Sequence, residues 1–220
     1  MREWMRNHSL LFANLALFVI FFCGMAITGF NTYNQDQLDH GQSAVSFTAY
    51  LGTGAFGEAT FENWESEFLQ MGMYVVLTVF LYQRGSSESK PIGEAAAQDK
   101  DPRESRNEPN VPWPVKRGGF VLVLYENSLA ILFFGLFIAS VVLHAVTGAA
   151  AYGEEQLQHG QQAVSALEYV TTSQFWFESF QNWQSEFMVI ALMVGASVFL
   201  RQRGSAESKP VATPHAETSA

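Results

Sequence analysis

Twice in this chain an asparagine and a glutamate stand four residues apart inside the element Phe-x-Asn-Trp-x-Ser-Glu-Phe: Asn63 with Glu67, and Asn182 with Glu186. Residues four apart in a helix are neighbours on its surface, so each pair shares a helix face. A carboxylate beside a carboxamide can hold a cation or take up a proton. His40 and His159, each followed by glycine, precede the two elements, and imidazole with carboxylate suits a divalent metal. Together these six residues form a candidate ion or proton site. The metal is left unspecified, because the chain has no short His-x-x-His or Cys-x-x-Cys spacing. The plainer alternative has Glu67 near the start of its own helix, where the dipole favours an acid, and His40 bonding its loop backbone.

Other chemistry is sparse. His144 lies alone inside an apolar run and reads as a satisfied helix histidine; haem ligation between helices would want more buried histidines than this one. Cys23, the one cysteine, can form no disulfide within the chain and reads as a small apolar filler. No nucleotide-binding glycine pattern, nucleophile elbow or zinc-protease motif is present. An enzyme is therefore disfavoured, and neither a cofactor nor a nucleic-acid partner is expected.

The elements that carry these residues are apolar runs separated by polar stretches. Runs near 10–30 and 129–151 are long enough to cross a bilayer core, which takes about 20 helical residues. Runs near 68–82 and 187–200 are short, but the second of each pair reaches a full span, about 35 Å, if counted from Phe61 to Gln83. Arg2 and Arg6 followed by an apolar stretch resemble a secretory signal. The same stretch recurs at 128–148, so it reads as a retained helix.

That recurrence extends further. Shifted by 119 residues, the chain matches itself at about 37 of roughly 83 positions between Ser9 and Pro91, without a gap. Each copy reads as helix, polar loop, helix and basic tail. An even number of spans returns the chain to its starting side, so both copies share one orientation about an axis along the membrane normal.

The 12 Lys and Arg sort by position: none falls between 7 and 83, or between 118 and 200. Two hairpins without cations, flanked by segments that hold all of them, carry the positive-inside signature. It places both termini in the cytoplasm. Acids accumulate in the hairpins and should give the outer face a negative field, unless they are only what remains once cations are excluded. Trp64 and Trp183 suit the outer interface. Arg84 and Arg203 suit the inner one, beside Gly85 and Gly204 as helix stops, where they complement the helix C-terminal dipole and meet anionic headgroups.

Local signals complete the outline. Gly41 offers a stop for the first helix, and Ser46 starts a short helix. Ser165 and Glu168 have capping-box spacing. Gly52, Gly54 and Gly57 are expected to break the short helix, with the next starting near Glu58 or Thr60. Phe120–Tyr125 is expected to lie in the interface or to lengthen the third helix.

The Asn-Trp-(Gln/Glu)-Ser-Glu-Phe and Gln-Arg-Gly-Ser-x-Glu-Ser-Lys-Pro elements resemble a family of uncharacterised bacterial inner-membrane proteins built from this two-span unit. Glu65 departs from the pattern where Gln184 stands in the second unit. The resemblance implies a bacterial plasma membrane and carries no activity or ligand.

The expectation is an all-α membrane protein with four transmembrane helices, arranged as two tandem two-helix repeats with pseudo-two-fold symmetry. The repeats cover 1–85 and 119–204; a cytoplasmic disordered linker covers 86–118 and a disordered tail 205–220. Its partners would be the lipid bilayer, anionic lipids at the cytoplasmic face and proteins of unknown identity. The expected role is a membrane scaffold or accessory protein, with a small cation or proton pathway through the paired glutamates as the alternative.

Overall fold

A computed structural model describes residues 2–218, which form helices and turns, with no strand among them. In chain order the helices are α1 (Arg2–Asn7), α2 (Ser9–Asp39), α3 (Phe47–Tyr50), α4 (Gly54–Phe80), α5 (Trp113–Arg117), α6 (Gly119–Glu126), α7 (Ser128–Gln158), α8 (Ala166–Tyr169) and α9 (Ser173–Ala196). Contacts divide the chain into two units. The first holds Met1–Phe61 and Val142–Phe175, the second Glu62–Val141 and Trp176–Ala220.

Two helices, α2 and α7, each of 31 residues, are long and apolar enough to cross a membrane. Only 6% of the most apolar stretch of α2 and 17% of that of α7 is buried within the protein. A soluble protein hides such surface in its core, because apolar area left in water costs about 25 cal/mol per Å². Here Leu10, Ile20, Phe21, Leu132, Ile138 and Val142 stay exposed.

In the first unit, sequence-local chemistry sets the helix ends. Gly41 takes φ +72. Its N–H bonds Leu38 O and that of Gln42 bonds Gln37 O, the pair of bonds that closes a Schellman cap. Gly160, at φ +73, closes α7 the same way through Leu157 O and Gln156 O. Ser46 caps α3 by accepting the Ala49 N–H, and Ser165 with Glu168 forms a complete capping box on α8.

The short helix α3 ends at Tyr50, just before Gly52, while the start expected for the next helix is corrected. α4 begins at Gly54, ahead of Glu58 and Thr60, and Gly57 lies inside it. The Thr53 hydroxyl accepts the Phe56 N–H at the helix start. Gly54 and Gly57 do not break this helix; they let it approach α7. A Cβ at Gly54 would lie 2.5 Å from Ala151 N, and one at Gly57 would meet the Thr147 side chain.

The second unit contains two further departures. α4 ends at Phe80 and α9 at Ala196, before Gly85 and Gly204. Those glycines, at φ +85 and +86, instead sit in turns closed by Ser86 N–H to Gln83 O and Ser205 N–H to Gln202 O. Phe120–Tyr125 belongs to α6, a helix separate from α7. The Asn127 amide donates to Val123 O and the Ser128 hydroxyl to Tyr125 O, so side chains take carbonyls at the break.

The linker and tail make local hydrogen bonds. In the linker, the Ser89 hydroxyl accepts the Gln83 N–H at 3.0 Å and Lys90 pairs with Asp99 at 2.7 Å. In the tail, Ser208 accepts the Gln202 N–H at 2.9 Å, while buried Lys209 donates to the carbonyls of Pro214, His215 and Glu217. The Thr218 hydroxyl accepts the Gly85 N–H at 2.8 Å. The Ser-x-Glu-Ser-Lys-Pro chemistry thus satisfies its own backbone. The last two tail residues, 219–220, lie outside the described residues.

Candidate functional site

The six sequence-derived residues separate between the units. In the first, His40 and His159 follow α2 and α7 directly and are exposed. Each ring Nδ1 lies 2.9 Å from the carbonyl one turn earlier, Asp36 O and Glu155 O respectively. Each of those carbonyls also accepts the backbone N–H of the same histidine, at 3.1 and 3.2 Å, so both histidines sit at helix ends with ring and backbone turned to one oxygen. Backbone bonding by His40 is therefore present.

Asn63, Glu67, Asn182 and Glu186 belong to the second unit. Glu67 and Asn63 are exposed, whereas Asn182 and Glu186 are half-buried. The backbone at Glu186 accepts a bond from the Gln70 amide at 2.9 Å, and the Ser66 and Ser185 hydroxyls turn back to Asn63 O and Asn182 O.

The buried acid of this unit is Glu65, the position noted only as a departure from its counterpart Gln184. It is fully buried and accepts the Trp183 indole N–H at 3.0 Å. Trp183 packs edge-on against Phe137, Trp176 and Phe180. Its polar edge is therefore engaged by Glu65. Buried Ser66 and Gln70 lie beside and one turn beyond Glu65, so α4 carries a polar stripe here.

The first unit assembles a second group of chemical interest. His144 on α7 is fully buried, with its ring stacked on Phe175 at 4.8 Å between centroids. Tyr169 on α8, also fully buried, meets that ring edge-on at 6.3 Å and donates its hydroxyl to Glu58 Oε1 at 3.1 Å. A Glu58 carboxylate oxygen and a His144 ring nitrogen lie within 4.8 Å of each other. Gly148 makes room for Tyr169: a Cβ there would stand 2.6 Å from the ring. Sequence reading dismissed His144 as a helix histidine; the one available signal was an ionisable residue in an otherwise apolar run.

On the cation side, Arg84 and Arg203 are exposed. Because their helices end at Phe80 and Ala196, neither stands in a last helical turn, and the dipole role is corrected. Lys90 is committed to Asp99, its proton held more tightly than usual by that hydrogen bond. Lys209 is committed to three carbonyls, and burial lowers its pKa.

A family model described as a domain of unknown function, DUF6766, matches residues 1–220. No curated protein and no solved structure matches the chain.

Proposed function

This chain belongs to the DUF6766 family of domains of unknown function, and from that premise we propose that it is a multi-pass protein of a bacterial plasma membrane, acting as a scaffold or accessory subunit. The observation that carries the reading is the exposure of α2 and α7: two 31-residue apolar helices with 6% and 17% of their apolar stretches buried. Such surface needs lipid or the helices of another membrane protein. α4 and α9 complete four spans in this reading. Its support is that α2, α3 and α4 start at Ser9, Phe47 and Gly54, and α7, α8 and α9 start 119 residues later at Ser128, Ala166 and Ser173. The cation-free hairpins support cytoplasmic termini.

Carbonate extraction and cysteine labelling test this directly. With Cys23→Ser as background, Gln42→Cys and Gln161→Cys are expected to react with an impermeant maleimide from outside intact cells. Arg103→Cys is expected to react only after lysis. Release of the protein by carbonate, or labelling of Arg103→Cys in intact cells, overturns the reading. Crosslinking in cells, with recovery of a stoichiometric membrane partner, tests the scaffold role.

A second reading, a small cation or proton pathway, draws on the half-buried Glu186 and the fully buried Glu65, both in the second unit. An acid withdrawn from water gains from a bound cation or a proton. Flux into proteoliposomes separates the two readings. Flux lost in Glu67→Gln and Glu186→Gln favours the pathway. No flux, or flux unchanged by both substitutions, removes it.

A further inference from the structure

We propose that Glu58 and His144 bind a divalent transition-metal ion in the first unit, with Tyr169 as a positioning residue. Imidazole and carboxylate together select ions of intermediate softness, the zinc, cobalt, iron(II) and manganese class. One ion bonded at about 2.0–2.2 Å to a ring nitrogen and to a carboxylate oxygen brings those atoms well inside 5 Å of each other. The Glu58 and His144 atoms lie within 4.8 Å of each other, so a modest closure of the two side chains brings them to the ~4 Å or less that two such bonds span.

The surroundings resemble an outer shell. Ligating carboxylates are held by hydrogen bonds from neighbours, and here the buried Tyr169 hydroxyl holds Glu58 Oε1 at 3.1 Å. Phe175 and Tyr169 fix the imidazole plane from its face and its edge. The cost of burying the imidazole and carboxylate in an apolar setting is offset when both neutralise a cation. Glu58 is only half-buried, which leaves a side open to solvent for entry and for water as a further ligand. His40 and His159 lie in the same unit, but both are exposed and already bonded to backbone carbonyls.

The reading is independent of whether the protein scaffolds or conducts. The experiment uses the full chain in detergent, stripped with chelator and titrated with Co²⁺, whose ligand-field absorption reports nitrogen and oxygen coordination. Wild type is expected to saturate near one equivalent and to lose its absorption when Zn²⁺ is added. His144→Gln is expected to weaken binding at least ~100-fold, and Tyr169→Phe by about 10–100-fold, as outer-shell losses do. The double variant His40→Gln/His159→Gln is expected to bind as wild type does. Tyr169→Phe preserves the ring packing, so the test does not hang on His144→Gln folding. Absence of saturable Co²⁺ binding in wild type overturns the site. So does equal affinity in His144→Gln, or binding lost only in the His40/His159 double variant.

Discussion

The indole N–H of Trp183 donates to the carboxylate of Glu65 at 3.0 Å, and Glu65 is fully buried. A charge-assisted bond to a buried acceptor contributes about 1.5–3 kcal/mol. Trp183→Phe keeps the aromatic packing against Phe137 and Phe180 but removes this donor. It is expected to lower stability by about that amount, read as a shift in thermal unfolding of the detergent-solubilised protein. Glu65→Gln keeps an acceptor for the indole and is expected to cost less. Equal stability of Trp183→Phe and wild type would show that the bond contributes nothing.

Close helix approach makes a second prediction. A Cβ at Gly57 would collide with the Thr147 side chain, whereas one at Gly135 meets nothing within 4 Å. Gly57→Val is expected to destabilise by about 1–3 kcal/mol through overpacking. Gly135→Ala is expected to be neutral or stabilising, since it reduces the freedom of the unfolded chain by about 0.4–1 kcal/mol. Thermal unfolding of the two variants side by side checks the contrast.

The capping box gives a pH dependence. Backbone and side-chain bonds from Ser165 hold the Glu168 carboxyl below its ordinary value. Its folded pKa is depressed, so the cap contributes fully above the unfolded carboxyl pKa, near 4.5. That contribution disappears as pH falls through the lower folded value. Titration of the Glu168 carboxyl by NMR is expected to show the depressed midpoint in wild type. Ser165→Ala keeps the backbone N–H and removes only the hydroxyl, so its midpoint is expected to rise part of the way toward 4.5, and an unchanged one would show that the hydroxyl contributes nothing to the shift.

The tail supplies a fourth test. Gly85 and Gly93 share positive φ, +85 and +80, but only at Gly85 would a Cβ meet the backbone carbonyl of His215. Both alanine variants carry backbone strain, while only Gly85→Ala is expected to release the segment held by Lys209 and Thr218. Limited digestion with proteinase K, a protease of broad specificity, should cut the segment after Lys209 faster in Gly85→Ala than in Gly93→Ala. Equal rates would mean that the tail is not held there.

Much of the local structure was legible in sequence. Gly41 ends α2, Ser46 starts α3, and Ser165 with Glu168 caps α8. Each of these signals acts through bonds that close within about five residues. Gly54 and Gly57 misled for a related reason: glycine reads locally as a helix breaker, but here the residues answer to a neighbouring helix. Gly85 and Gly204 misled because a turn and a helix stop use the same positive φ.

What the chain by itself determined is the set of helices, their caps, and the apolarity of α2 and α7, because backbone hydrogen bonding and side-chain transfer are properties of short segments. Only tertiary structure decided which ionisable groups are buried and with whom. Glu58 and Tyr169 are 111 residues apart, Glu65 and Trp183 118 apart. Whether such residues meet depends on the rotation and register of packed helices, in which a shift of one residue turns a side chain by about 100°. No spacing in the sequence records that angle, and so Glu65 and His144 are buried while Glu67 and His40 are exposed.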